Sequence, residues 1–237
     1  MAAFDDLLNL QAHDIAADRL RHRRDTLPER ARLAEAQATG AAIEARLADA
    51  RRRRDEVLRE ERRLDDEATG LSAKARAEEK RMYSGTVSSP RELQAMQADI
   101  DQLRRHAREL EDAELEVLER REALDTEVAD LEAEAGATAV GIGALEAAIV
   151  AAETEIDAEL ATETDARGQV APGVPAEVLD LYERTRAKNR GTGAARLTGA
   201  SCGACHLSLP AIEVDRIRHL PPESVACCDH CGAILVR

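Results

Sequence analysis

Stepping alternately by three and four residues from Leu93 reaches Ile156 in nineteen stops, of which sixteen are apolar; the exceptions are Glu114, Arg121 and Thr138. A 3.5-residue repeat held that long commits a chain to a left-handed coiled-coil seam, because only supercoiled helices keep such a stripe turned toward a partner. The same stepping backwards from Met82 reaches Ile43 in twelve stops, nine of them apolar, interrupted by Glu78, Glu61 and Arg54. Two arms of equal period separated by a short break predict a mainly α fold: a long antiparallel coiled-coil hairpin over residues 1–169. A small β-containing unit is expected to follow over 170–237.

The break is "RMYSGTVSSPRELQ". Gly85 and Pro90 interrupt helix, and "SPRE" offers Ser89 as N-cap, Pro90 at the first helical position and Glu92 to complete a capping box, so the tip is placed near 83–90. Around such a tip, facing positions sum to roughly 175. That register would set Arg54 against Arg121 and Glu61 against Glu114, with relief coming diagonally, Arg54 to Glu114 or Glu61 to Arg121. Pro28 predicts a kink near 25–28, with Thr26 and Glu29 as a fresh capping box. Residues 4–24 then form a shorter helix that packs back against 140–165. Gly136, Gly141 and Gly143 are expected to loosen the second arm there.

Composition supports an extended chain over a compact one. One Phe, two Tyr and no Trp cannot supply the aromatic area of a large core, and 34% of residues are charged. The net charge of -14 is unevenly placed: residues 1–169 carry 40 acidic and 25 basic side chains, residues 170–237 carry 7 and 8. An acidic hairpin is a poor general polyanion binder, and "RRRRDEVLREERR" at 51–63 reads as a solvated face with charge pairs four apart. "MAAFDDLLNLQAHD" has no basic region followed by an apolar one, and no run approaches the roughly 18 apolar residues of a membrane span. The expectation is a cytoplasmic protein without membrane contact.

All five cysteines fall in "SCGACHLSLPAIEVDRIRHLPPESVACCDHCGAILVR". Cys202-x2-Cys205 and Cys228-x2-Cys231, 22 residues apart, have the spacing of a closed tetrahedral zinc site, the same donors also suiting iron. Cys227 is left over, since using it would break the symmetry of the two CxxC knuckles; His206 and His230 are alternative donors. "AARLTG" and "AILVR" read as strands flanking the knuckles. The excess length between them suits a short helix bearing Ile212, Ile217 and Leu220. "PAEVLDLYERTRAKNR" reads as a linker helix started by Pro175.

Taken together, "YSGTVSSPRELQAMQADI", "CGACHLSL" and "CDHCGAILV" resemble the bacterial proteins made of a coiled-coil hairpin and a C-terminal four-cysteine zinc ribbon, over essentially the whole chain. The resemblance implies one structural zinc held by Cys202, Cys205, Cys228 and Cys231, and a binding or chaperone-like role in place of catalysis. Better-known relatives bind the sigma-54 transcription factor, and a flagellar one binds messenger RNA. Where the family usually carries an Arg two residues after the last ligand, this chain has Ala233.

Three function classes remain. The first is a non-enzymatic adaptor that presents the ribbon, and the tip residues Met82, Tyr83 and Val87, to a protein partner. The second is a nucleic-acid-binding ribbon using Arg184, Arg186, Lys188, Arg190 and Arg196 on RNA or DNA. The third is a thiol or zinc-linked sensor based on the adjacent Cys227 and Cys228. An enzyme acting on a small molecule is disfavoured: the sequence has no phosphate loop, no paired nucleophile and base, and no open metal position.

Overall fold

The computed structural model describes residues 2–221 and 224–237. Among the described residues five α-helices and three strands follow in the order α1 (Ala2–Asp25), α2 (Pro28–Met82), α3 (Pro90–Val170), α4 (Ala176–Lys188), β1 (Ala194–Thr198), β2 (Ser201–Cys202), α5 (Ala211–His219) and β3 (Ile234–Val236). A single 3-10 turn, Ala171–Gly173, links α3 to α4. The contacts separate into two compact units, Leu33–Ala144 and a second made of Met1–Arg32 with Leu145–Arg237.

In the first unit α2 and α3 pair through the predicted stripes. Ile43, Leu47 and Ala50 pack with Val128 and Leu131, and Leu64, Ala68, Ala75, Ile100, Ala107 and Val117 are likewise buried. At about 2 kcal/mol for each buried Ile, Leu or Val and less for each Ala, this seam carries the stability of the arms. The register differs from the expected one. Every cross-arm ion pair joins positions whose numbers sum to between 180 and 183: Arg46 with Glu134, Arg51 with Glu132, Arg53 with Glu127, Arg120 with Glu60, Arg121 with Glu61 and Arg104 with Glu79. Like charges therefore do not face each other in the seam. Of the two diagonal pairs expected, Glu61 to Arg121 forms, with Arg121 donating to both carboxylate oxygens at 2.7 and 2.8 Å, while Arg54 turns to its neighbour Asp55 at 3.1 Å instead of to Glu114.

Exposed pairs of this kind contribute about 0–1 kcal/mol each, so their effect lies in choosing among registers the apolar seam would accept. The tip absorbs the offset. Gly85 takes φ +77°, in the left-handed region that a side chain disfavours, and the Ser84 hydroxyl donates to the Arg81 carbonyl at 2.7 Å. The Leu93 N–H donates to the Ser89 carbonyl at 3.0 Å, which puts Ser89 at the N-cap position of α3 as expected.

In the second unit the break falls where Pro28 predicts it, between Asp25 and Pro28. Thr26 does not cap α2, however. Its hydroxyl donates to the His22 carbonyl at 2.7 Å, closing the end of α1 instead. Helix α1 packs against the 153–167 stretch of α3, with His13 against Glu163 at 2.7 Å and Arg24 against Asp157 at 3.0 Å. It also reaches further than expected: Leu7 and Leu10, both fully buried, share a core with Val174, Tyr182, Ala194, Ile234 and Val236.

The sheet has the order β2-β1-β3, with β1 antiparallel to β2 and parallel to β3. A second small core, beneath α5, contains Leu209, Val214, Ile217, Ala226 and Leu235. Ile212, expected on the apolar face of α5, is 86% exposed; Val214 takes that place.

Helix α3 is unbroken through Gly136, Gly141 and Gly143, and a Cβ at any of the three would meet nothing within 4 Å. The expected loosening is absent because the glycines face outward and the seam positions Ala135, Thr138 and Ile142 remain packed. The stretch 135–152 has Glu146 as its one charged side chain. An 18-residue window of α3 reaches a mean hydropathy of 1.7, so on composition this helix is apolar enough to cross a membrane, contrary to the expectation. Its apolar content is coiled-coil seam together with outward alanine, glycine and valine. Replacing Gly136, Gly141 and Gly143 together by Ala should raise stability by up to about 1 kcal/mol per site. Thermal unfolding followed by circular dichroism would show this as a melting temperature several degrees higher, with unchanged helix content.

Candidate metal centre

Both cysteine knuckles are built the same way. Cys202 lies in β2 and Cys228 precedes β3; the backbone then turns so that the N–H of the residue after each second cysteine returns to the carbonyl of the first. His206 donates to the Cys202 carbonyl at 2.9 Å and Gly232 to the Cys228 carbonyl at 2.7 Å. The turn needs the left-handed region at both places, φ +59° for His206 and +73° for Gly232. Glycine adopts this freely, whereas histidine does so at a cost. Gly203 is required for a different reason: a Cβ there would sit 2.8 Å from the Arg196 carbonyl oxygen, to which the Gly203 N–H donates.

The turns bring the sulfurs of Cys202, Cys205, Cys228 and Cys231 within 4.8 Å of one another. Two of the edges measure 3.8 Å, Cys202 to Cys231, and 3.9 Å, Cys205 to Cys228. Four sulfurs each about 2.3 Å from one tetrahedral ion lie about 3.8 Å apart, so the cluster has the dimensions of a four-thiolate metal site. None of the five cysteines is in a disulfide.

The electrostatics are those of thiols that resist shared ionisation. Burial pushes Cys202 above its ordinary value, and burial together with the neighbouring thiols pushes Cys231 up to about 12. Cys205 is held below its ordinary value, chiefly by a hydrogen bond from the Leu207 backbone. Only a cation at the centre would let all four be thiolates together. Cys227 stands apart, packed against the core that contains Ile234 and paired across a β-bridge with that residue; burial raises it, with Asp229 and Cys228 adding to the shift. His206 and His230 are both exposed and lie outside the cluster of four sulfurs.

Residues that the sequence reading did not single out tie the cysteine unit to α1. The buried Gln11 side chain accepts from the N–H groups of Gly193 at 2.6 Å and Ala194 at 3.0 Å, and donates to the Gly191 carbonyl at 2.8 Å. Asp14, 3% exposed, accepts from the Tyr182 hydroxyl at 2.6 Å and from Arg167 at 2.8 Å. Burial and this hydrogen bond hold the Tyr182 phenol well above its ordinary range. Gly193 lies flat on Tyr182, where a Cβ would meet the ring at 2.5 Å. The Asn189 amide then donates to the Cys231 carbonyl, joining the end of α4 to the second knuckle. The one signal available in advance is that Gln11 and Asp14 lie on the same helical stripe as Leu7, Leu10 and Ala17.

The basic residues of 184–196 do not form one surface. Arg186 is drawn inward, 2.6 Å from Asp18 and 3.7 Å from Asp14, and Arg184 pairs with Asp180 at 3.0 Å. Arg196 is exposed with Asp5 at 3.8 Å, and Lys188 and Arg190 are exposed. At the other expected contact, Tyr83 is 77% exposed, while Met82 and Val87 are half-buried.

Residues 10–190 match the model of a family described as the CT398-like coiled coil hairpin domain. The chain is 33% identical to an uncharacterized protein of Mycobacterium tuberculosis, over 98% of this chain and 94% of that one. A solved structure from Mycobacterium smegmatis aligns with a TM-score of 0.86 at 27% identity, covering 98% and 96% of the two chains. The CT398 protein of Chlamydia trachomatis aligns at 0.69 with 18% identity over the same shares, a likeness of fold.

If the four clustered sulfurs are the ligands, Cys227→Ser should leave metal content unchanged, whereas Cys228→Ser should abolish it and unfold the cysteine unit. Elemental analysis of the purified variants reads this directly. His206→Gly should retain the metal and raise stability by about 0.5–1 kcal/mol, because it removes a side chain from a left-handed position; a lower melting temperature would contradict the strain.

Proposed function

Because the chain belongs to the CT398-like coiled coil hairpin family, we propose that it is a non-enzymatic, metal-dependent binding protein, an adaptor or chaperone-like factor that works on a macromolecular partner in the bacterial cytoplasm. The observation that carries this reading is the four-sulfur cluster itself. Four thiolates fill a tetrahedral ion and leave no position for substrate or water, so the ion is structural. Zinc is the ion proposed, held by Cys202, Cys205, Cys228 and Cys231. When bound it supplies the positive charge that lets four crowded thiols ionise together; iron is the rival for the same donor set.

In this reading the cysteine unit is a small binding head, a zinc ribbon whose fold depends on its ion. The tip of the hairpin is a second contact, supported by the exposure of Tyr83 where closure of the turn alone needs no aromatic ring. A nucleic-acid role keeps one supporting observation, the exposed Lys188, Arg190 and Arg196 beside the ribbon. It is the weaker reading, since Arg186 and Arg184 are neutralised by aspartates and the chain as a whole is acidic. A sensor role would require Cys228 to be oxidised out of the metal site.

Affinity capture from the native lysate, with the captured proteins identified by mass spectrometry, tests the proposal. Capture that tolerates 0.5 M salt, is lost in Cys228→Ser and falls about tenfold in Met82→Gln/Tyr83→Ser is expected. Capture unchanged in both variants, or binding to RNA that disappears steeply with salt, would overturn it. The tip variant should melt within a few degrees of the parent, since Tyr83 is exposed and Met82 is only half-buried at the last position of the seam.

A further inference from the structure

A cleft of about 290 Å3 lies between the first turns of α1, the end of α5 and β3, lined by Phe4, Asp5, Arg218, Leu220, Leu235, Val236 and Arg237. Its floor joins the two small cores of the unit, with Leu235 belonging to one and Val236 to the other. Neither the metal site nor the tip uses it. We propose that this cleft is the docking site for an extended segment of a protein partner that presents an acidic side chain next to an apolar one. The proposal rests on the reading of the cysteine unit as a binding head and names the chemistry of what that head takes.

The charges around the cleft are unbalanced in one direction. Elsewhere on α5 the basic groups are answered within the helix, Arg216 by Glu213 at 2.5 Å and His219 by Asp215 at 3.4 Å. Arg218 and Arg237 have no carboxylate partner among the described residues. Among the described residues Arg218 donates one hydrogen bond, to the Gly199 carbonyl at 3.1 Å, and it is exposed. Arg237 donates to the carbonyls of Ile217, Leu220, Pro221 and Ser224, which fixes its guanidinium at the mouth and satisfies the end of α5, and no carboxylate among the described residues pairs with it. Among the described residues that line the cleft the one acid, Asp5, is shared with Arg196 at 3.8 Å.

Two fixed positive charges beside a pocket of Phe4, Leu220, Leu235 and Val236 complement an acidic residue whose neighbour has an aliphatic or aromatic side chain. The volume is at the lower edge of the roughly 300–1,000 Å3 typical of small-molecule sites, which suits one or two side chains of a peptide. A nucleic acid fits less well: the lining has a single aromatic ring on which to stack a base, and Asp5 would repel phosphates.

Random octapeptides displayed on phage and selected on the zinc-loaded full chain provide the probe. The selected sequences should converge on Asp or Glu beside Leu, Ile or Phe. The best of them, made synthetically, should bind Arg218→Glu at least about tenfold more weakly, while Arg184→Glu, a reversal outside the cleft, stays within about twofold. Amide resonances of Asp5, Leu220 and Val236 should move on titration. Convergence on another chemistry, equal binding to Arg218→Glu, or displacement of the peptide by a single-stranded RNA that depends on Arg218 overturns the proposal, provided the variant keeps its metal and helix content. Natural partner capture separates the two readings. Loss in Cys228→Ser but not in Arg218→Glu removes the cleft and leaves the binding head, whereas survival in Cys228→Ser removes the binding head itself.

Discussion

A carboxylate taken out of water must be met by hydrogen bonds and positive charge, and Asp14 is met from three directions at once. Tyr182 and Arg186 of α4 and Arg167 of α3 converge on it, while Gln11, one turn earlier, occupies the three peptide groups at the approach to β1. A chain this poor in aromatics cannot hold a small sheet by apolar area alone. Directional bonds do it instead, and they are exacting: a buried acid with its partners removed would cost several kcal/mol. The cysteine unit owes its position to this polar anchor and its internal shape to the knuckles.

The parts of the fold legible in the sequence are those with a period or a spacing. The heptad stripes named the buried residues of both arms, Pro28 and Gly85 marked the breaks, and the two CxxC pairs named the four sulfurs that come together. The parts that were not legible depend on a distance along the chain that no local pattern encodes. Counting inward from the tip misplaced the register by several positions, because seven loop residues can close a hairpin with the arms level or offset. The pair of Glu61 with Arg121 fits either, and it is the run of pairs from Arg46 with Glu134 to Arg104 with Glu79 that distinguishes the two.

The same limit explains the smaller misses. Thr26 can serve the helix behind it or the helix ahead, and the sequence shows both carbonyls and amides without saying which are free; in the structure the free group was the His22 carbonyl. Arg186 read as part of a basic run because its neighbours in sequence are basic, whereas its neighbours in space are Asp14 and Asp18, more than 160 positions away. Ile212 and Val214 are both apolar and two apart on a nine-residue helix, too short a stretch for periodicity to decide which one faces inward.

The unit that carries the cysteines is closed by a helix and a strand far apart in sequence, since Leu7 and Leu10 of α1 share a core with Ile234 and Val236 of β3. During synthesis α1 is made before β3. Until β3 is made, Leu7 and Leu10 lack that part of their core, and the long hairpin between them can zip on local contacts in the meantime. Assembly of the cysteine-bearing unit therefore follows that of the hairpin, and until then the exposed apolar stripe of α1 is a surface that other proteins, folding factors included, can reach.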